Sequence, residues 1–167
     1  MKESLLKKAL FLFIILTGSL SHAQIYEPVE WETEVKKISE EEYQLVFNAF
    51  IEENWHLYSQ ELPEGAALPT VFIFENAGDK YELVGDTRES ESVTEYDKVF
   101  EMELSYFANQ ATFTQNIKVL DSSLNRINAR AEYQVCDDKA CIFEQEDFEF
   151  VIREGGASPD SEEKAEA

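Results

Sequence analysis

Apolar and polar residues alternate along most of this 167-residue chain, and this pattern constrains the fold more than any other feature. In the clearest run, five apolar residues alternate with mostly polar neighbours at 43–51. Because successive side chains of a β-strand point to opposite faces, the run predicts a strand with one buried face. The same reasoning predicts strands at 29–35, 70–74, 81–84, 100–106, 111–119, 127–135 and 148–152.

Turn signals separate the predicted strands. They lie at 64–65, 76–79, 85–86, 108–110 and 121–123, and they are rich in Gly, Asn, Asp and Ser, which stabilise tight backbone conformations. No segment has the periodicity of a long amphipathic helix. About eight or nine strands at this spacing predict an all-β fold, an antiparallel sandwich. The length of the body suits a single domain.

The N-terminal segment, residues 1–23, has the features of a secretory signal peptide. Three lysines precede or border an apolar run at 9–16, and small residues at 21–23 come before a cleavage site at Gln24. A short N-terminal anchor is the alternative, but the apolar run is shorter than the ~20 residues that a membrane span needs. We therefore expect an exported protein that does not insert into the membrane after cleavage.

The C-terminal segment, residues 154–167, contains mainly acidic and small residues and has no apolar periodicity. Such a composition buries too little apolar surface to fold, so we expect a disordered acidic tail. The folded domain is then expected at 24–153.

The balance of charge excludes several classes of partner. The chain carries 35 acidic residues against 14 basic ones, a formal net charge of -21. Nucleic acids and anionic membranes attract Lys and Arg, so neither is expected to bind. His56 is the one histidine that remains in the sequence after signal cleavage. It makes a weak zinc site with two cysteines, and no Gly-x-Ser-x-Gly motif supports it as a hydrolase base. We expect no metal and no cofactor.

The two cysteines, Cys136 and Cys141, are separated by four residues. Four residues can turn a hairpin and bring the two Cα atoms within the ~4.4–6.8 Å that a disulfide needs. An even cysteine count in an exported protein favours such a bridge. A disulfide that closes so short a loop stabilises a fold by only roughly 2 kcal/mol. The pair therefore suits either a redox centre or a bridge that merely closes the hairpin.

Charges near the pair affect how readily a thiolate forms. Asp137 and Asp138 disfavour a thiolate at Cys136 because like charge raises a thiol pKa, whereas Lys139 opposes this effect near Cys141. No Cys-x-x-Cys motif is present to activate either thiol. These features favour a disulfide that receives electrons from an activated partner and passes them on.

Several segments, taken in order, resemble one family. Residues 133–141 are similar to the active-site hairpin of the N-terminal periplasmic domain of DsbD-type thiol:disulfide interchange proteins, and 55–60, Trp-His-Leu-Tyr-Ser-Gln, is similar to a strand of that domain. Further matching segments lie at 68–70, 81–85, 96–100 and 113–115. The resemblance covers about residues 25–152.

The resemblance implies an immunoglobulin-like sandwich in the periplasm with a reversible Cys136–Cys141 disulfide. Electrons are expected from a thioredoxin-like donor domain and leave toward oxidised periplasmic proteins. By this likeness Cys141 forms the mixed disulfide and Cys136 resolves it. Aromatic side chains shield the cysteines in the family, and Tyr58, with Trp55 or His56 nearby, is the candidate shield here. Ordinary core packing is the alternative for Trp55 and Tyr58, and a proton-transfer role is considered for His56.

The chain departs from the family pattern in two ways. Family members commonly have prolines after the second cysteine, whereas Ile142-Phe143-Glu144 follows here. The membrane and thioredoxin-like domains of the family are absent from this sequence, so we expect them to be encoded separately or lost. Thiol:disulfide exchange, with protein-disulfide reductase activity left open, is the main hypothesis. The alternative is a non-catalytic exported binding sandwich with a structural hairpin disulfide.

Overall fold

The computed structural model describes residues 26–153, so the predicted signal peptide and acidic tail lie outside the described residues. Within this range the chain forms ten strands and no α-helix. The strands are β1 Val29–Lys37, β2 Glu42–Ile51, β3 His56–Tyr58, β4 Val71–Phe74, β5 Tyr81–Glu89, β6 Val93–Asp97, β7 Met102–Phe107, β8 Gln110–Val119, β9 Arg126–Cys136 and β10 Cys141–Val151. Between residues 26 and 153, no helix is long and apolar enough to span a membrane.

The strands form two antiparallel sheets. The first has the order β1-β2-β8-β5, and the second has the order β10-β9-β3-β7-β6, with β4 also paired to β9. Hydrogen-bonded neighbours such as β2 and β8 are distant in sequence, because the chain crosses repeatedly between the sheets. This architecture confirms the predicted immunoglobulin-like antiparallel sandwich.

The main core lies between the two sheets and is rich in aromatic rings. Phe47 of β2 and Phe113 of β8 project into it from the first sheet, and both are fully buried. Phe148 and Phe150 of β10 meet Phe47 from the second sheet, with ring centroids 5.1 and 5.0 Å away and edge-to-face geometry. The apolar residues that alternate in the sequence are thus the inward-facing residues of the strands, and burial of these rings stabilises the sandwich.

The turn predicted at 85–86 is wrong, because β5 continues through it. The pairing of β5 with β8 shifts between Val84 and Arg88, as at a β-bulge. Gly85 has a φ of 72°, a conformation that glycine adopts without steric strain. The glycine therefore marks a bulge inside a strand, and the strand predicted at 81–84 is too short.

The strand count exceeds the predicted eight or nine because two strands lack an apolar alternation. β3 has three residues, and β6 is an edge strand of the second sheet that is exposed along most of its length. The strand predicted at 100–106 begins later, at Met102. Before it, the carboxylate of Asp97 accepts hydrogen bonds from the backbone N–H groups of Val99 and Phe100, which closes a turn.

Candidate redox site

The β9–β10 hairpin places the two cysteines directly opposite each other. Cys136 and Cys141 are partners in the strand register, their Cα atoms are 4.1 Å apart, and their sulfurs are bonded. At the tip, the Asp137 N–H donates to the Ala140 carbonyl over 2.9 Å. Asp137 and Ala140 thus face each other as a hydrogen-bonded pair. The neighbouring pair, Cys136 and Cys141, is a non-hydrogen-bonded one, in which facing residues of antiparallel strands come closest.

The carboxylate of Asp137 holds the tip of the hairpin. It accepts the backbone N–H groups of Lys139 and Ala140 at 2.8 and 2.7 Å. These two hydrogen bonds hold the pKa of Asp137 below its usual value. An ionised carboxylate therefore sits beside Cys136 at neutral pH, where its charge disfavours a thiolate.

The two cysteines differ strongly in exposure. Cys136 is 3% exposed, whereas Cys141 is open to solvent. Cys136 belongs to a small apolar cluster on the outer face of the second sheet, away from the main core. Its other buried members are Tyr58, Ala67 and Leu104, with Leu62, Ala66, Phe100, Met102 and Tyr106 packed against them. An incoming partner therefore has access to Cys141, while the cluster covers Cys136.

Tyr58 connects this cluster to a carboxylate. Its hydroxyl donates a hydrogen bond of 2.7 Å to Asp97, and its ring packs edge-on against Phe100 with centroids 5.9 Å apart. Burial raises the pKa of Tyr58 well above its usual value, and the bond to Asp97 adds to this. Burial acts to raise the pKa of Asp97, but hydrogen bonds from Tyr58, Phe100 and Val99 hold it below its usual value. At neutral pH a neutral Tyr58 thus donates to an ionised Asp97.

A cleft of about 360 Å³ opens beside the disulfide. His56, Tyr58, Asp97, Tyr106 and Cys136 are among its lining residues. His56 faces Cys136 in the β3–β9 register and stacks on the Tyr106 ring with centroids 4.1 Å apart. Burial, followed by a hydrogen bond of 2.8 Å to a glutamate of β6, raises the pKa of Tyr106 to about 12. The cleft therefore combines aromatic walls with an acidic rim.

Gln134 contacts the disulfide from the same face of β9. Its Nε2 lies 3.7 Å from the Cys136 sulfur, within hydrogen-bond range for sulfur. Its Oε1 accepts the backbone N–H of Leu68 at 2.7 Å. Because that N–H can only donate, it must face the amide oxygen, and the NH₂ group is thereby turned toward the sulfur.

The residues after Cys141 continue the strand where family members commonly have prolines. Ile142 packs against the main core, Phe143 is half exposed, and Glu144 accepts a 2.9 Å hydrogen bond from Tyr133. All three pair with β9 in register. The hairpin is therefore regular up to the disulfide itself.

The structure brings four of the five predicted site residues together. Cys136, Cys141, Tyr58 and His56 meet at the end of the β9–β10 hairpin. Trp55 instead lies in the main core, 5% exposed. This position favours ordinary core packing as the role of Trp55, rather than shielding of the cysteines.

Four contributors to the site were not singled out from the sequence: Asp97, Phe100, Tyr106 and Gln134. Three of them fall inside segments that carry the family resemblance, 96–100 and 133–141, so the likeness was the available signal. Tyr106 was assigned only to a strand. Its stacking on His56 follows from the β3–β7 pairing, which no local pattern indicates.

Comparison with known proteins gives one family and a shared fold. A family profile described as thiol:disulfide interchange protein DsbD, N-terminal, matches residues 24–152. The N-terminal periplasmic domain of ScsB from Proteus mirabilis is similar in structure, with a TM-score of 0.60 at 14% identity over 81% of this chain. The chain spans 50% of that ScsB domain. At this identity the likeness shows the fold.

Two further solved structures have lower scores. The reduced N-terminal domain of Neisseria meningitidis DsbD matches with a TM-score of 0.45 and 17% identity, over 75% of this chain and 86% of its own. The GAE domain of yeast GGA1 matches with a TM-score of 0.42 and 8% identity, over 77% of this chain and 96% of its own. No curated protein matches the chain in sequence.

Proposed function

The chain belongs to the family of DsbD N-terminal domains, and we propose that within it the protein exchanges electrons through the Cys136–Cys141 disulfide in the periplasm. A thioredoxin-like domain donates the electrons, and oxidised periplasmic proteins receive them. One observation carries the proposal: an exposed Cys141 is bonded to a buried Cys136 at the rim of a cleft. That arrangement leaves one sulfur accessible to a partner and protects the other.

The reduction begins when a thiolate of the donor attacks the Cys141 sulfur. The Cys136–Cys141 bond breaks, Cys136 leaves with the electron pair as a thiolate, and the donor is joined to Cys141 in a mixed disulfide. The donor's second thiolate then attacks the donor sulfur that is bonded to Cys141, and Cys141 leaves as a thiolate. The donor ends as a disulfide, and this protein gains two electrons and, from solvent, two protons.

The second half of the cycle reverses the roles. The Cys141 thiolate attacks the disulfide of an oxidised client, and one client sulfur leaves as a thiolate. Cys136 then attacks the Cys141 sulfur, restores the internal disulfide and releases the reduced client. Cys141 therefore forms the mixed disulfide in both halves, and Cys136 resolves it in the second.

The surroundings of the pair suit a relay that depends on its partners. The ionised carboxylates of Asp97 and Asp137 lie near Cys136, and like charge disfavours a thiolate there. Tyr58 belongs to the same buried apolar cluster as Cys136, and Phe100 packs against that cluster. We therefore expect the disulfide to react slowly with small thiols. Exchange should be faster when a docked donor excludes water from Cys141.

The proposal includes the cellular location of the protein and the bounds of its segments. We assign a signal peptide to 1–23, the exchange domain to 24–153 and an acidic tail to 154–167. The ScsB domain that resembles this chain is described as periplasmic, and disulfides form and persist in that compartment.

The rival function, a binding sandwich with a structural disulfide, has weaker support. The hairpin is paired at eleven register positions and its tip is held by the Asp137 carboxylate. A bridge that closes a loop of only six residues stabilises the fold by roughly 2 kcal/mol, less than a bridge between distant strands would.

Trapping of the mixed disulfide tests the proposal. In Cys136→Ser, Cys141 is first converted to a mixed disulfide with thionitrobenzoate and has no resolving partner. The remaining thiolate of a thioredoxin-like domain whose own resolving cysteine is replaced then attacks the Cys141 sulfur and displaces thionitrobenzoate, so we expect a stable adduct. Non-reducing electrophoresis and mass spectrometry detect the adduct. Cys141→Ser is the matched control and should give none, because Cys136 is buried. Failure of Cys136→Ser to form an adduct with any such donor would refute the exchange role.

A further inference from the structure

Gln134 contacts the disulfide but has no role in the exchange steps proposed for Cys136 and Cys141. Its Nε2 lies 3.7 Å from the Cys136 sulfur. Among residues 26–153, no other side-chain donor has a hydrogen bond to either cysteine sulfur. The Leu68 N–H fixes the amide so that its donor side faces that sulfur. The contact is therefore oriented by the fold rather than left to a freely rotating side chain.

The sulfur that Gln134 contacts is the one that must leave. When a donor attacks Cys141, the negative charge that develops on the protein appears on Cys136. An N–H donor aimed at a developing charge stabilises the charged form more than the neutral one, and this lowers the barrier. A better-stabilised leaving thiolate also departs faster in thiol–disulfide exchange.

We propose that Gln134 assists reduction of the disulfide by donating its Nε2–H to the Cys136 sulfur as that sulfur departs. The inference rests on the proposed exchange function and adds a residue to it. The step is balanced: a thiolate forms a bond to the Cys141 sulfur, the Cys141–Cys136 bond breaks, and its electron pair remains on Cys136. Gln134 keeps its proton throughout and acts only by hydrogen bonding.

The surroundings make this single donor important. Asp137 follows Cys136 directly, and Asp97 lines the same cleft. Both carboxylates are held ionised by hydrogen bonds, so they oppose negative charge on the sulfur. Lys98 also lines the cleft, but among residues 26–153 the amide of Gln134 is the side-chain donor within hydrogen-bond distance of that sulfur.

Three substitutions at this position separate donation to the sulfur from support of the Leu68 loop. Gln134→Met removes both the donor and the acceptor. Gln134→Glu keeps an acceptor for Leu68 but removes the donor and adds negative charge. Gln134→Lys supplies a donor again but has no acceptor for Leu68.

The measurement is the rate of single-turnover reduction of the oxidised protein by dithiothreitol, followed by alkylation of the thiols and mass spectrometry. We expect Gln134→Met to be roughly tenfold slower than wild type, as for loss of a hydrogen bond to a charged group. Gln134→Glu should be at least as slow, and Gln134→Lys should lie within about threefold of wild type. Gln145→Glu and Gln145→Lys are charge controls, because Gln145 is exposed on β10 and pairs with Glu132, away from the disulfide.

Two results would overturn the inference. If Gln134→Glu reacts like wild type while Gln134→Met and Gln134→Lys are slow, Gln134 acts by holding Leu68. If the Gln145 controls shift the rate as much as their Gln134 counterparts, the effect is general surface charge. The Glu and Lys variants decide the question even if Gln134→Met does not fold. Because dithiothreitol replaces the protein donor, a failed adduct in the trapping experiment would refute the exchange role without deciding this one.

Discussion

At the scale of single residues, the site depends on a difference in burial between two bonded cysteines. The sequence placed Cys136 and Cys141 at the mouth of a hairpin, because five positions of separation and flanking strand patterns are local features. It did not place Asp97 there. With 35 acidic residues in the chain, the nearness of any one carboxylate in sequence to a site carries no information. Its place in the site follows from the pairing of β3 with β7 and of β3 with β9, which joins distant parts of the sequence.

The Tyr58–Asp97 hydrogen bond gives a prediction about stability and pH. Tyr58→Phe keeps the ring in the cluster around Cys136 and removes the donor to Asp97, so we expect a loss of about 1–2 kcal/mol in the free energy of unfolding near neutral pH. The folded-state pKa of Asp97 lies below its usual value. Its stabilising contribution is therefore present above the unfolded pKa and is lost as the pH falls through the folded one.

Urea unfolding of wild type and Tyr58→Phe at about pH 7 and at about pH 2 measures this effect. The difference between the two proteins should shrink toward the lower pH, since Asp97 is protonated as the pH falls through its folded-state pKa. Tyr106→Phe is a useful comparison, because its hydroxyl donates to the more exposed Glu95. A difference for Tyr58→Phe that is equally large at both pH values would contradict the assignment of an ionised Asp97.

At the scale of elements, strands with a visible apolar alternation were predicted from it, whereas β3 and β6 lack one. β2, β8 and β9 each alternate between the core and the outside, and that alternation is visible in their sequences. β6 lies at a sheet edge with little burial, so its sequence needed no apolar face. β5 contains a bulge at Gly85 that looks like a turn from sequence alone.

The β9–β10 hairpin should not need its disulfide to fold. Cys136→Ala combined with Cys141→Ala opens a loop of six residues, for which we expect a loss of about 2 kcal/mol and no loss of structure. Urea unfolding gives the free energy, and far-ultraviolet circular dichroism reports the strands. Reduced wild type is the matched control, because it lacks the bridge but keeps both side chains. A double variant that is unfolded without denaturant would support the structural rival.

At the scale of the whole molecule, the sandwich holds the Cys136–Cys141 disulfide and the cleft beside it on the outer face of one sheet. The main core lies between the sheets, and the cluster around Cys136 is a separate, smaller one. Changes in the exposure or charge of the residues around the disulfide therefore need not disturb the packing between the two sheets, which stabilises the fold. The net charge of -21 is compatible with this arrangement, because the inward-facing residues remain apolar. That division also explains why a sequence pattern predicted the fold class more completely than the site.

The reduction potential of the Cys136–Cys141 bridge tests the central claim most directly. The oxidised protein is equilibrated in buffers with graded ratios of reduced to oxidised dithiothreitol or glutathione, and the reduced fraction is read as a mass shift after alkylation. An exchange centre should have a potential between about -120 and -270 mV, in the range of proteins that pass electrons between thiols. A potential well below about -300 mV is typical of structural disulfides in exported proteins. That value would contradict the exchange role and leave a stapled binding domain.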